Sequence, residues 1–127
     1  MPSRSICAAA ALTLLFIAGC GPGKLDITKE YDMDGDPQMI FCPPQPKPQK
    51  ITVEFESDKS DIVVMLIKSA DIPKEEESNV PTSKAIEFKK GKSGSFSGDV
   101  PANTETTVLL RGGLKTHVKV RVHNQAQ

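Results

Sequence analysis

From residue 24 onward, apolar and polar residues alternate with a period of two in most segments that carry hydrophobic residues. The segment ITVEFE, which starts at Ile51, shows this alternation, and so does HVKVRV, which starts at His117. Successive side chains of a β-strand point to opposite faces, so the pattern predicts strands with one buried face. No sustained apolar repeat of 3.6 residues is present here. The pattern therefore predicts an all-β chain.

Gly and Pro turns separate these runs at intervals of about a dozen residues, the spacing of a small antiparallel sandwich. The run IVVMLI from Ile62 is apolar on both faces, which is typical of a central strand. Further strands are predicted at residues 25–33, 39–42 and 106–111, around Ile86 and Phe88, and around Phe96 and Val100. Residues 71–83 are polar and predict a long loop. We predict an antiparallel β-sandwich of about seven or eight short strands.

The first 19 residues have the layout of an export signal. Arg4 provides positive charge, residues 6–17 are almost entirely apolar, and small residues follow. A helix that crosses a bilayer needs about 20 apolar residues. The shorter run therefore predicts a cleaved signal helix over residues 1–19.

The sequence Ile17-Ala18-Gly19-Cys20 resembles the lipobox of bacterial lipoproteins. That resemblance implies cleavage before Cys20 and attachment of acyl chains, including palmitate, to this residue, with residues 20–23 as a short tether. It also implies a lipid-anchored protein of the cell envelope. Gly21 is not the Asp that is associated with inner-membrane retention, so the outer membrane is expected if the source is Gram-negative. The alternatives are a secretory peptide with a chance Cys and an uncleaved anchor.

Cleavage would leave 108 of the 127 residues, so residues 24–127 are long enough for one small domain. This mature chain carries 15 basic and 16 acidic side chains, no Trp and few aromatic residues. It therefore lacks the positive field and the stacking platform that nucleic-acid binding requires. Cys42 has no partner for a disulfide and is either a small buried residue or an exposed thiol.

The order of the segments ITVEF, DIVVMLI, SGDVPANTETTVLLRGG and HVKVRV resembles the small β-sandwich domains of the pre-peptidase C-terminal type. The match covers residues 50–124. It implies a sandwich fold and an accessory role in surface or substrate association.

Three alternating carboxylates, Asp32, Asp34 and Asp36, suggest a calcium loop. In an EF-hand, however, Pro37 would stand where Gly is needed and Pro43 where a bidentate Glu is needed. A solvated acidic turn is the simpler interpretation, and a calcium site in a hairpin turn is the alternative. No metal or other cofactor is expected.

The last strand predicts a cationic ribbon, because alternation places its polar residues on one side. The ribbon comprises Lys115, His117, Lys119, Arg121 and His123. It is a candidate surface for an acidic glycan, a lipid headgroup or the carboxylates of an envelope protein. The alternatives are a solvated outer face and an edge strand on which Lys and Arg discourage pairing with another chain.

Catalytic signatures are missing from the sequence. Neither His lies near a G-x-S-x-G motif, which is itself absent, and the Gly-rich stretch at residues 91–98 precedes a strand, not a helix. The expected function is therefore non-enzymatic: a membrane-anchored binding module. A structural filler of the envelope and a calcium-stabilised accessory module are the alternatives.

Overall fold

The computed structural model describes residues 24–72 and 80–126. The predicted signal peptide, the lipidation site at Cys20 and the tether lie outside these residues. Within the described ranges, no helix is long and apolar enough to span a bilayer.

Eight strands form two four-stranded antiparallel sheets, which confirms the predicted all-β sandwich. The strands are β1 (Asp26–Met33), β2 (Gln38–Cys42), β3 (Gln49–Ser57), β4 (Ile62–Lys68), β5 (Glu87–Gly91), β6 (Ser93–Val100), β7 (Thr106–Arg111) and β8 (Thr116–Ala126). The first sheet has the order β1-β8-β3-β6, and the second has the order β2-β7-β4-β5. Single 3₁₀ turns cover Ser69–Asp71 and Thr82–Lys84.

The alternating apolar residues form the core between the two sheets. From the first sheet, every second residue is buried along β3 and from Thr116 to Val122 of β8, including Ile51, Val53, Val118 and Val120, each 0% exposed. From the second sheet, strands β2, β4 and β7 contribute residues to the same cluster. Full burial of an aliphatic side chain contributes about 1.5–3 kcal/mol to stability. The alternation in the sequence thus selects which face of each strand points inward.

Strand β4 is central in the second sheet, between β7 and β5, as its apolar run predicts. Its outward side chains Met65 and Ile67 pack with Leu109 of β7 and with Val80, which lies beyond the strand. Arg111 donates a hydrogen bond to the carbonyl of Val80 and holds this segment against the sheet. Both faces of β4 are therefore covered.

Strand β6 begins earlier than the sequence predicts. The sequence indicates a strand around Phe96 and Val100, whereas the strand starts at Ser93, directly after the turn at Gly91 and Lys92. Its first residues alternate Ser with Gly and give no apolar signal. Gly91 has φ +151° at this turn, where β5 of one sheet leads into β6 of the other.

Candidate functional site

The outward side of the first sheet is lined by polar side chains, and we call it the open face. Strand β8 runs through its middle, with β1 on one side and β3 on the other. Alternation directs the following side chains outward: Asp26, Thr28, Glu30 and Asp32 of β1; His117, Lys119, Arg121 and His123 of β8; Lys50, Thr52, Glu54 and Glu56 of β3; and Ser93, Ser95, Ser97 and Asp99 of β6.

The predicted cationic ribbon therefore lies between two rows of carboxylates. His117, Lys119, Arg121 and His123 point outward from β8, which is a central strand and not an edge. Lys115 is exposed but precedes the strand, where its φ of +49° interrupts the extended backbone. The open face carries six carboxylates against three Lys or Arg residues, so its net charge is −3 with neutral histidines.

His117 bridges two carboxylates of β1. Its Nδ1 lies 2.7 Å from Asp32 Oδ1, and its Nε2 lies 2.8 Å from Glu30 Oε1. Hydrogen bonds to Asp32 and then Glu30 raise the pKa of this imidazole, because only the protonated ring donates from both nitrogens. The backbone N–H of His117 donates to Asp58 Oδ1 at 2.8 Å, and this bond lowers the pKa of Asp58.

Two further residues of the ribbon, Arg121 and His123, also have acidic partners. Arg121 donates to Asp26 through two parallel hydrogen bonds of 3.0 Å, from Nε to Oδ1 and from Nη2 to Oδ2. The guanidinium lowers the pKa of Asp26. His123 Nε2 lies 3.2 Å from Glu54 Oε2. These contacts fix the side chains of both ends of β8 against neighbouring strands.

Lys119 and Glu56 are different, although they lie directly opposite each other on β8 and β3. Neither forms an ion pair with any residue in the described ranges. Two shallow depressions, of about 550 and 430 Å³, open on either side of them. Lys119, Glu56 and Ser93 line both depressions. The two central strands of the open face therefore present one cation and one anion that are available to a partner.

The predicted calcium residues do not converge. Asp32 is bonded to His117, while Asp34 and Asp36 are exposed in the turn between β1 and β2. Gly35 takes φ +99° in this turn, and its N–H donates to the carbonyl of Gly113 at 2.7 Å. Among the described residues, no group of three His, Cys, Asp or Glu side chains could hold a metal ion.

Cys42 is the buried small residue of the two options that the sequence left open. It is 0% exposed in the core. Burial raises the pKa of its thiol to about 11, so the reactive thiolate is scarce at neutral pH.

The acidic partners of the ribbon were not predicted from the sequence. The segments DITKEYD and VEFE contain alternating acidic residues, which places these acids on one face of each strand. Only the strand order shows that these faces lie beside the cations of β8. The pair Asp26 and His123 is adjacent in the sheet yet lies at opposite ends of the domain sequence.

Comparison with known proteins informs on the fold. No family model matches the chain, and no curated protein matches it. Among solved structures, the chain is similar to PliG of Aeromonas hydrophila, a periplasmic inhibitor of g-type lysozyme. The TM-score is 0.57 at 14% sequence identity, and the match covers 83% of this chain and 89% of that one. At this identity the likeness establishes a shared sandwich fold.

Proposed function

We propose that this protein is a lipid-anchored lipoprotein of the cell envelope whose β-sandwich binds another protein through the open face. The export signal and the lipobox at Cys20 support the envelope location. The fold likeness to a periplasmic inhibitor, itself a binding protein, supports a binding role without catalysis.

The anchor at Cys20 would keep the sandwich beside the membrane. Each buried CH₂ of an acyl chain contributes about 0.8 kcal/mol, and two chains suffice for stable anchoring. Strand β1 begins at Asp26, only a few residues after Cys20. The open face therefore meets its partner close to the lipid surface, on the outer membrane if the source is Gram-negative.

The observation that carries the binding proposal is the available pair Lys119 and Glu56. His117, Arg121 and His123 of the ribbon are held by carboxylates, whereas Lys119 and Glu56 line both depressions and have no ion-pair partner in the described chain. Complementary charges across an interface steer association and fix its register. A partner that places a carboxylate on Lys119 and a cation on Glu56 would use both.

A protein fits this surface better than a glycan. Apart from the two histidines, no aromatic side chain points outward from the open face to stack on a sugar ring. The net charge of −3 also opposes an acidic glycan. His117 has both ring nitrogens bonded to carboxylates, so neither nitrogen is free to take a proton from a substrate. This arrangement supports recognition over acid–base catalysis.

Charge reversal at the two central residues tests the proposal. The experiment is a pull-down from detergent-solubilised envelope with three baits: the full-length protein, Lys119→Glu and Glu56→Lys. Purified g-type lysozyme is the first defined probe to be tested against the same baits. Each single variant should weaken capture about tenfold or more, as expected for a central contact of an interface. The control is Lys47→Glu, the same charge change at an exposed residue away from the open face.

The pattern of losses separates the candidate partners. A protein that uses both charges is lost with either variant. Capture of an acidic glycan would be weakened by Lys119→Glu and strengthened by Glu56→Lys. Capture that is the same for all variants, or absent from the wild type, would contradict the proposal and favour an envelope filler without a specific ligand.

A further inference from the structure

Strand β6 is an unprotected edge of the first sheet. It is eight residues long and pairs with β3 on one side only. Along its other side, no residue in the described ranges forms a backbone hydrogen bond with it. Alternate N–H and C=O groups of β6 therefore face outward along the whole strand.

The other three edges carry features that discourage pairing with another chain. Strand β1 has Lys29 on its inner side, between Ile27 and Tyr31. Strands β2 and β5 are five residues long. Pro43 and Pro44 follow β2 directly, while β5 contains Lys89 and Lys90. Short strands, Pro and inward-pointing or edge Lys residues are the usual means by which proteins block edge pairing.

Strand β6 has none of these features. Its sequence is SGSFSGDV, without Pro, Lys or Arg. Its outward side chains are small, and Ser97 is fixed by a hydroxyl contact of 2.8 Å with Thr52 of β3. On the inner side, Gly94 and Gly98 are covered by Lys89 and Leu66 of the second sheet and by Ile86, which precedes β5, so β6 is packed against the rest of the sandwich on this side.

The sequence of this edge is symmetric about Phe96. Ser95 and Ser97 flank it, followed by Gly94 and Gly98. A two-fold interface requires that each residue of one copy meet its counterpart on the other copy. Two antiparallel β6 strands centred on Phe96 satisfy this requirement, because Ser95 lies opposite Ser97 and Gly94 opposite Gly98.

We propose that β6 pairs with β6 of a second copy of this chain, antiparallel and centred on Phe96. At the next rung, Ser93 lies opposite Asp99, so a hydroxyl donor meets a carboxylate and no like charges face each other. The two first sheets join into one eight-stranded sheet. Because the two-fold axis is perpendicular to the sheet, both open faces point to the same side.

Cysteine cross-linking tests the pairing and its register in the full-length protein. Directly opposite residues of an antiparallel pair have Cα atoms about 4.5–5.5 Å apart, within the range of a disulfide. Ser95→Cys and Ser97→Cys chains with different tags, expressed together and oxidised in membranes, should form a cross-linked dimer carrying both tags. The wild type controls for native thiols, since Cys42 is buried.

Mismatched pairs fix the register. Ser93→Cys expressed with Ser97→Cys should not cross-link, because a shift of two residues adds about 7 Å along the strand. Efficient cross-linking of this pair, or of Ser95→Cys or Ser97→Cys alone, would overturn the centring on Phe96.

A variant at Ser95 tests whether cross-linking reflects stable pairing of two β6 strands or chance collision of two chains. Ser95→Lys places an edge lysine opposite Glu54 of β3, where the charge suits the folded monomer. Analytical ultracentrifugation of the full chain in detergent should give a dimer for the wild type and a monomer for Ser95→Lys. A wild-type monomer at all concentrations, or a dimer that survives Ser95→Lys with its native melting temperature, would overturn the proposal.

Discussion

The hydroxyl of Thr116 lies 2.6 Å from the hydroxyl of Ser57, and both residues are buried where β8 begins and β3 ends. The same Thr116 oxygen accepts the backbone N–H of Lys59 at 3.0 Å and donates to Asp58 Oδ1 at 3.0 Å. One side chain thus connects the start of β8 to the turn between β3 and β4. The next residue, His117, is the first residue of β8 on the open face.

Replacing Thr116 with Val keeps the shape of the side chain and removes these hydrogen bonds. The N–H groups of Lys59 and Ser60 lose their acceptor, and the Ser57 hydroxyl keeps only the carbonyl of Ser60, which costs about 1–3 kcal/mol. Urea denaturation should therefore show a lower free energy of unfolding. Thr28→Val, an exposed residue of β1, is the matched control and should change stability little. Equal stability of the Thr116→Val variant and the wild type would show that water replaces the hydroxyl.

His117 should make stability depend on pH near neutrality. Asp32 and Glu30 raise its pKa in the folded state above the ordinary value of 6.5. A raised folded pKa means that the stabilisation is fully present below about pH 6.5 and is lost as the pH rises through the folded pKa. The free-energy difference between the wild type and His117→Gln should therefore shrink as the pH rises from 6 to 9, as measured by denaturation at fixed ionic strength.

The partners of His117 provide the control for this effect. In Glu30→Gln combined with Asp32→Asn, the imidazole keeps its place on β8 but loses both carboxylates. The pH dependence above 6.5 should then be weaker than in the wild type. A variant that retains the full dependence would assign it to another group.

We predict that Asp34 and Asp36 do not bind calcium. Both are exposed in a turn, and the nearby Asp32 carboxylate is bonded to His117 instead of facing them. A ligand that binds only the native state raises its melting temperature. We therefore expect the same melting temperature with excess Ca²⁺ and with a chelator. A clear rise with Ca²⁺ would revive the alternative of a calcium-stabilised module.

The strands were predictable from the sequence because burial imposes a period of two. Thr106–Arg111 was predicted with the bounds that the structure has, and the apolar run of β4 correctly indicated a central strand. The start of β6 was missed for a physical reason. Ser and Gly differ little in hydrophobicity, and its inner positions Gly94 and Gly98 are filled by side chains from the other sheet.

The open face was only half predictable. Local alternation placed the cations of β8 on one side, but their carboxylate partners come from β1 and β3, whose order in the sheet is set by long-range pairing. Lys115 shows the limit of the alternation rule, because its positive φ precedes the strand. The availability of Lys119 and Glu56 follows from how their neighbours pair, which no local pattern contains.

Two glycines of β6 differ in how they would tolerate a side chain. A Cβ at Gly98 would lie 2.9 Å from Leu66 Cδ2 and 3.0 Å from Ile86 Cγ2, and Leu66 is fully buried. Overpacking of a core costs about 1–3 kcal/mol, more than the 0.4–1 kcal/mol gained from a less flexible unfolded chain. Gly98→Ala should therefore lower the melting temperature. At Gly94 the close atoms belong to the exposed side chain of Lys89, which can move aside, so Gly94→Ala should be nearly neutral.

In our proposal, acyl chains on Cys20 hold the open face beside a membrane. If acyl chains anchor the protein, Cys20→Ser should move it from the membrane fraction to the soluble fraction, because the substitution removes the thiol that would carry them. Cys42→Ser is the matched control, since Cys42 is buried in the core and its loss should leave the protein with the membranes. Mass spectrometry of the wild type should find acyl chains on Cys20 and no residues 1–19. An unmodified thiol with the leader still attached would contradict the anchor, whereas membrane retention of Cys20→Ser would assign it to another part of the chain.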